Sequence, residues 1–187
     1  MKPFAIAILG GILPSLLWLW FWLQEDNKNP EPKGLLFITF VAGMAVVYLV
    51  LPVQKFIVFA MPEFSKTTLI TLLAATEEIA KYIAVFFIAL RSRYFDEPVD
   101  GVVYLVTAAL GFAAMENILY VLRDLTHGGT VLAVLDGSSR FVGATILHTV
   151  SSAIVGIAIA FSFWSGRKIK FIATLLSLVA ATLLHAY

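Results

Sequence analysis

Three glutamates, one lysine and two histidines interrupt otherwise apolar stretches of this sequence: Glu77, Glu78, Lys81, Glu116, His148 and His185. A charged group at mid-bilayer costs at least about 2.5–3.5 kcal/mol, so ionisable residues inside apolar runs are functional candidates by default. Carboxylates crowded into a dry site share protons, which is how a glutamate becomes a proton carrier near neutral pH. Imidazoles beside them can donate hydrogen bonds to a developing oxyanion. The same residue types also suit a metal, and Glu78, Glu116, His148 and His185 form a chemically reasonable ligand set. Adjacent residues on a helix point about 100° apart, so Glu77 and Glu78 cannot serve the same role. Lys81 lies at i+4 from Glu77 and i+3 from Glu78, within ion-pair reach of either. One carboxylate is thus expected to be held by Lys81 while its neighbour faces water; the spacing does not decide which.

Several other chemistries are excluded or weakened by what is missing. There is no cysteine, so thiol catalysis and thiolate metal sites are out. No His-Glu-x-x-His or Gly-x-Ser-x-Gly occurs, and the apolar runs hold no aspartate pair. Ser151 and Ser152 follow His148 at i+3 and i+4, a possible but nonspecific serine–histidine pairing. Thirteen basic against twelve acidic residues leave a net charge of +1, so no nucleic-acid partner is implied.

The elements that must position these groups are membrane spans. The chain has 187 residues, 60% hydrophobic and 13% charged, with a mean hydropathy of +0.93. Soluble domains run at roughly 45–50% apolar and about 25% charged. A helical span needs about 20 apolar residues, so the length accommodates about six. The expected fold is an all-α polytopic transmembrane helix bundle, a single membrane-embedded domain over residues 1–187. Spans are expected near 4–23, 34–53, 67–90, 101–122, 140–164 and 171–187. Pro52 helps end the second run, and Asp100 is placed to cap the first turn of the fourth. Trp18, Trp20 and Trp22 suit a membrane–water boundary. Gly111, Gly143 and Gly156 read as helix-packing notches.

Depth brings the ionisable residues together. At about 1.5 Å per residue, Glu77 and Glu78 lie on the order of 15 Å below the amino-terminal side, Glu116 roughly 9 Å and His148 about 12 Å. His185 is near the end of the last run, on the same side. Helices alternate direction, yet all five residues fall in the half nearer one surface, which argues for one site opening there. That side carries Lys2, Lys55, Lys66, Arg123 and Arg140; the opposite side carries Lys28, Lys33, Arg91, Arg93, Arg167, Lys168 and Lys170. The excess favours an outward amino terminus and a site near the extracytoplasmic face.

These residues carry a family resemblance. Thr76-Glu77-Glu78-Ile79-Ala80-Lys81 resembles the Glu-Glu-x-x-Lys motif of the PrsW family of membrane-embedded proteases, which belongs with the CAAX-prenyl protease and bacteriocin-processing superfamily. The stretch from Tyr94 to Tyr104 resembles the family's loop into its next helix, and Leu110–Tyr120 its Phe-x-x-x-Glu-Asn segment. Arg140 with His148 and Gly156 is similar to the histidine helix, and Leu183-Leu184-His185 to the second histidine motif. Asp26-Asn27 to Glu31-Pro32 also resembles family sequence.

The resemblance implies peptide-bond hydrolysis in a prokaryotic plasma membrane, with a single-span protein as substrate and an anti-sigma factor as the family's best-described target. It implies Glu77, Glu78, Glu116, His148 and His185 as catalytic residues, with Lys81, Asn117 and Arg140 in support. By itself, Asn117 suits an interhelical hydrogen bond, and Arg123 and Arg140 suit the interface. Family members usually continue past the second histidine, whereas this sequence stops two residues on, at Tyr187, and so reads as a shortened form. The expected mechanism is a glutamate-activated water without a cofactor, favoured over a zinc-dependent one. A proton- or ion-coupled transporter, using the same buried cluster, is the competing expectation.

Overall fold

Unpaired peptide groups are too costly in hydrocarbon, so a chain this apolar must satisfy its backbone within helices. The computed structural model describes residues 2–24, 29–127 and 129–187, with side chains omitted at 2, 3, 6, 127 and 129–142. Six helices follow in order: α1 (Lys2–Leu23), α2 (Lys33–Ala60), α3 (Lys66–Ile88), α4 (Asp100–His127), α5 (Gly129–Ser162) and α6 (Arg167–Ala186). Among the described residues there is no strand. The protein is a multi-pass helix bundle of the expected class. Among the described residues, four helices are long and apolar enough to cross a membrane, and α1 adds the apolar stretch Ala7–Leu23. The remaining helix, α3, carries Glu77, Glu78 and Lys81 within 23 residues.

Helix α4 is the axis of the bundle. Every side chain from Tyr104 to Ala114 is buried except where glycine has none, and α1, α2, α3 and α5 all pack against it. The approach is closest where small residues meet. A methyl group at Gly43 would sit 2.0 Å from the Ala108 carbonyl oxygen, and one at Gly111 would sit 2.0 Å from that of Phe40. These reciprocal notches bring the α2 and α4 backbones together, as glycine does between membrane helices. Gly156 plays the same part between α5 and α4, against Val102. Gly143 does not: a side chain there would meet nothing within 4 Å, so it is no packing notch.

Polarity is inverted relative to a soluble bundle. Phe37, Leu49, Phe56 and Phe59 stand out from α2, while Glu78, Lys81, His148, Thr145, Thr149 and Ser152 are buried. Helix α2 passes through Pro52 and continues to Ala60. Proline removes one donor without ending a helix whose neighbours hold it. Helix α5 starts at Gly129, well before the apolar run, because a backbone helix does not require apolar side chains on every turn. Ser65 caps α3 by accepting from the Thr68 amide at 3.1 Å. Asp100 does not cap α4 forward. Its Oδ2 accepts from the amides of Asp96 and Glu97 at 2.9 and 2.7 Å, tying down the preceding loop. Nearby, the Tyr104 hydroxyl donates to Glu31, pinning the segment before α2 to the axis.

Candidate active site

Helix α3 turns its two glutamates in different directions, and the partners on other helices separate their roles. Glu78 is buried and fully engaged. Its Oε1 accepts from Lys81 Nζ at 2.6 Å and from His185 Nδ1 on α6 at 2.8 Å; its Oε2 accepts from Ser152 on α5 at 3.1 Å. Glu77 faces the other way, toward α2. Its Oε1 accepts from Gln54 Nε2 at 2.8 Å, while its Oε2 is buried and without a hydrogen-bond partner. Glu78 is therefore the carboxylate held by Lys81, and Glu77 is the one left with a free oxygen.

The histidines converge on that oxygen. His185 Nε2 lies 3.6 Å from Glu77 Oε2, and His148 Nδ1 lies 4.0 Å from it. Each ring's other nitrogen meets a carboxylate: His185 Nδ1 meets Glu78, and His148 Nε2 meets Glu116 Oε2 at 2.9 Å. Those carboxylates can only accept, so the facing ring nitrogens carry the protons. The inner nitrogens then present lone pairs toward Glu77 Oε2. Lys81 Nζ approaches His148 Nδ1 at 3.3 Å, and the two imidazoles meet edge to face with centroids 4.6 Å apart. Phe112 lines the same space, 5.2 Å from the His148 ring and 5.1 Å from Lys81 Nζ.

This arrangement fits a divalent cation on two counts. Glu77, His148 and His185 each bring one donor atom within 4.8 Å of the others, and both histidines are backed by carboxylates, the usual orienting partners of metal-bound imidazole. Composition points the same way: three carboxylates meet a single lysine in a largely enclosed cluster. The grouped donors differ from those expected of the sequence. Glu77 takes the place of Glu78, and Glu116 stands behind His148. The reason is occupancy: Lys81, His185 and Ser152 already take both oxygens of Glu78.

Asn117 donates to Thr145 on α5 at 3.2 Å, the expected interhelical bond. Ser151 donates to the Leu147 carbonyl and Ser152 to Glu78, so neither forms a nucleophile with His148. Arg123 pairs with Asp124 at 2.9 Å. The side chain of Arg140 lies outside the described residues, as does that of His127. Gln54 is the residue that spacing does not single out. Its signal in the sequence is an amide two residues past Pro52, at the end of an apolar run.

A cleft of about 470 Å³ leads from the cluster between α2, α3 and α4. Gln54, Glu77, Phe112 and Glu116 line its inner part; Leu73, Tyr120 and Arg123 lie nearer the amino-terminal side.

Fold and site together define a polytopic membrane protein with a glutamate–histidine centre beside a cleft between α2, α3 and α4. The pattern of the PrsW family intramembrane metalloproteases matches residues 31–187, and the chain belongs to that family. It is similar to Protease PrsW of Bacillus subtilis (strain 168), 28% identical over 184 residues, covering 97% of this chain and 80% of the relative. Protease PrsW of Geobacillus kaustophilus (strain HTA426) is 30% identical over 144 residues, 75% of this chain and 63% of the relative. Protease PrsW of Oceanobacillus iheyensis (strain DSM 14371 / CIP 107618 / JCM 11309 / KCTC 3954 / HTE831) is 32% identical over 148 residues, 76% and 66% of the two chains. The chain thus spans about two thirds of the length of two of these relatives. No solved structure matches it.

Proposed function

We propose that this chain is an intramembrane endopeptidase that hydrolyses a peptide bond in a membrane-anchored protein, with Glu77, His148 and His185 surrounding the attacking water. One observation carries the reading. A buried carboxylate oxygen without a hydrogen bond faces two imidazole nitrogens, each oriented by a carboxylate behind it. Family membership favours this over an ion-coupled transporter, which would move a solute and release no product.

Glu77, His148 and His185 would hold a divalent cation, with Glu78 and Glu116 fixing the outer N–H groups of the two rings. When bound, such a cation supplies Lewis acidity and a water acidic enough to attack at neutral pH. Glu116 borders the cleft, and its other oxygen would take the proton that the water loses and return it to the departing amine as the C–N bond breaks. Gln54 holds Glu77 from the far side, and Lys81 fixes Glu78 in place so that His185 stays oriented.

A second reading is favoured by Lys81. Its ammonium lies 3.3 Å from the His148 nitrogen that a metal would take. In that version Glu77 removes the proton from water unaided, and the Lys81 ammonium stabilises the oxyanion.

The test is incubation of the purified chain with a single-span substrate, followed by product mass. Wild type should yield a cleaved product and Glu77→Gln none, with the variant still folded. Full cleavage by Glu77→Gln removes the proposal. Loss of turnover in a chelator, restored by a divalent cation, selects the metal-assisted version; indifference to the chelator selects the glutamate alone. The charge distribution between loops supports an outward amino terminus and a site near the extracytoplasmic face of a prokaryotic plasma membrane. The resemblance of the motifs points to an anti-sigma factor as substrate class, in regulated proteolysis for stress signalling.

A further inference from the structure

At the opposite end of the bundle a second cavity opens between α3, α5 and α6, with a volume of about 390 Å³. That lies within the roughly 300–1,000 Å³ typical of small-molecule sites. It is separate from the catalytic cleft and shares no residue with it. Its walls are apolar: Phe86, Leu90, Phe95, Phe163, Phe171 and Leu178 contribute most of the lining. The Ser162 hydroxyl in the wall donates its proton back to the Ala158 carbonyl at 2.8 Å. Charge is confined to one end, where Arg167 and Lys170 stand at the start of α6.

Those two cations are exposed, and among the described residues neither is in an ion pair. The Lys170 ammonium instead lies 5.4 Å from the centroid of Phe163, at the lip of the cavity. Helix α6 rises from this end into its apolar span. An apolar slot at acyl-chain depth with unpaired positive charge at headgroup depth is complementary to one kind of molecule. Zwitterionic lipid would satisfy the slot and leave the charge unanswered. A soluble anion would do the reverse.

We infer that this cavity is a binding site for an anionic phospholipid, with an acyl chain between α3 and α6 and the headgroup phosphate on Arg167 and Lys170. The groove separates the same two helices that are joined by the His185–Glu78 contact nearer the amino-terminal side. A lipid filling it therefore seats α6 against α3.

The experiment is native mass spectrometry of the full chain in uncharged detergent, with phosphatidylglycerol and phosphatidylcholine supplied in equal amounts. Phosphatidylglycerol adducts should persist in preference to phosphatidylcholine. Each Lys or Arg near an anionic headgroup is worth about a fivefold change in affinity, so R167Q/K170Q should lose roughly 25-fold. K55Q/K66Q, a charge change of equal size at the other face, should leave the adducts as they were. T174W fills the cavity without altering charge and should remove them; it answers the question even if R167Q/K170Q does not fold. Equal retention of phosphatidylcholine, undiminished phosphatidylglycerol in either cavity variant, or displacement by millimolar glycerol 3-phosphate would overturn the assignment.

Discussion

At the scale of single residues, the proposed mechanism separates groups that meet the reacting atoms from groups that hold them. Glu78 is of the second kind, because each of its oxygens is already taken. Replacing it with glutamine leaves the buried Lys81 ammonium without its counter-charge, and breaking such pairs costs about 3–5 kcal/mol. Glu78→Gln is thus expected to lower the unfolding temperature in detergent as well as activity. Glu77→Gln should abolish cleavage while leaving thermal stability close to wild type. Similar melting curves for the two variants would mean that the roles are misassigned. Gln54 offers a subtler test. Its amide fixes Glu77 at 2.8 Å, and losing an outer partner of this kind typically costs 10–100-fold in activity or metal affinity. Gln54→Leu should show that loss chiefly in kcat, measured against a wild type of equal stability. Lys81 and the glutamate pair were visible in the sequence because charge inside an apolar run stands out. Which glutamate faced the lysine was not visible, since both lie within one turn of it.

At the scale of helices, close approach to α4 is the organising contact. Gly43 and Gly111 each oppose a backbone carbonyl, which cannot swing aside as a side chain can. Gly111→Val should therefore separate α2 from α4, widen the cleft and collapse both stability and activity. Gly143→Ala, with nothing within 4 Å, should be neutral or raise stability by up to about 1 kcal/mol through helix propensity. Thermal unfolding of the two variants side by side checks the contrast. Apolar runs located the helices well because lipid demands continuous hydrophobicity. Their ends were less legible. Pro52 does not terminate α2 and α5 extends back to Gly129, because hydrogen bonding along the backbone, unlike hydropathy, continues through a polar turn.

At the scale of the whole molecule, the two cavities lie toward opposite ends of the bundle, the one beside the glutamate–histidine cluster reaching Arg123 and the apolar one reaching Arg167. The chain contains no cysteine, so single-cysteine variants report sidedness without background. Tyr120→Cys and Lys168→Cys in right-side-out vesicles should differ. A membrane-impermeant thiol reagent should label the first and spare the second if the catalytic cleft is extracytoplasmic. The reverse pattern would place the site toward the cytoplasm and rule out cleavage on the outer side.

Composition and spacing alone determined that this chain is a helical membrane protein, and singled out Glu77, Glu78, Glu116, His148 and His185 as ionisable residues at a shared depth. Those conclusions need only the cost of burying charge and the rise of a helix per residue. The direction each helix faces belongs to the tertiary structure, because rotation about a helix axis is set by what packs against it. Packing turned Glu78 toward Lys81 and His185, left Glu77 with an unbonded oxygen, and brought Gln54 to its other side.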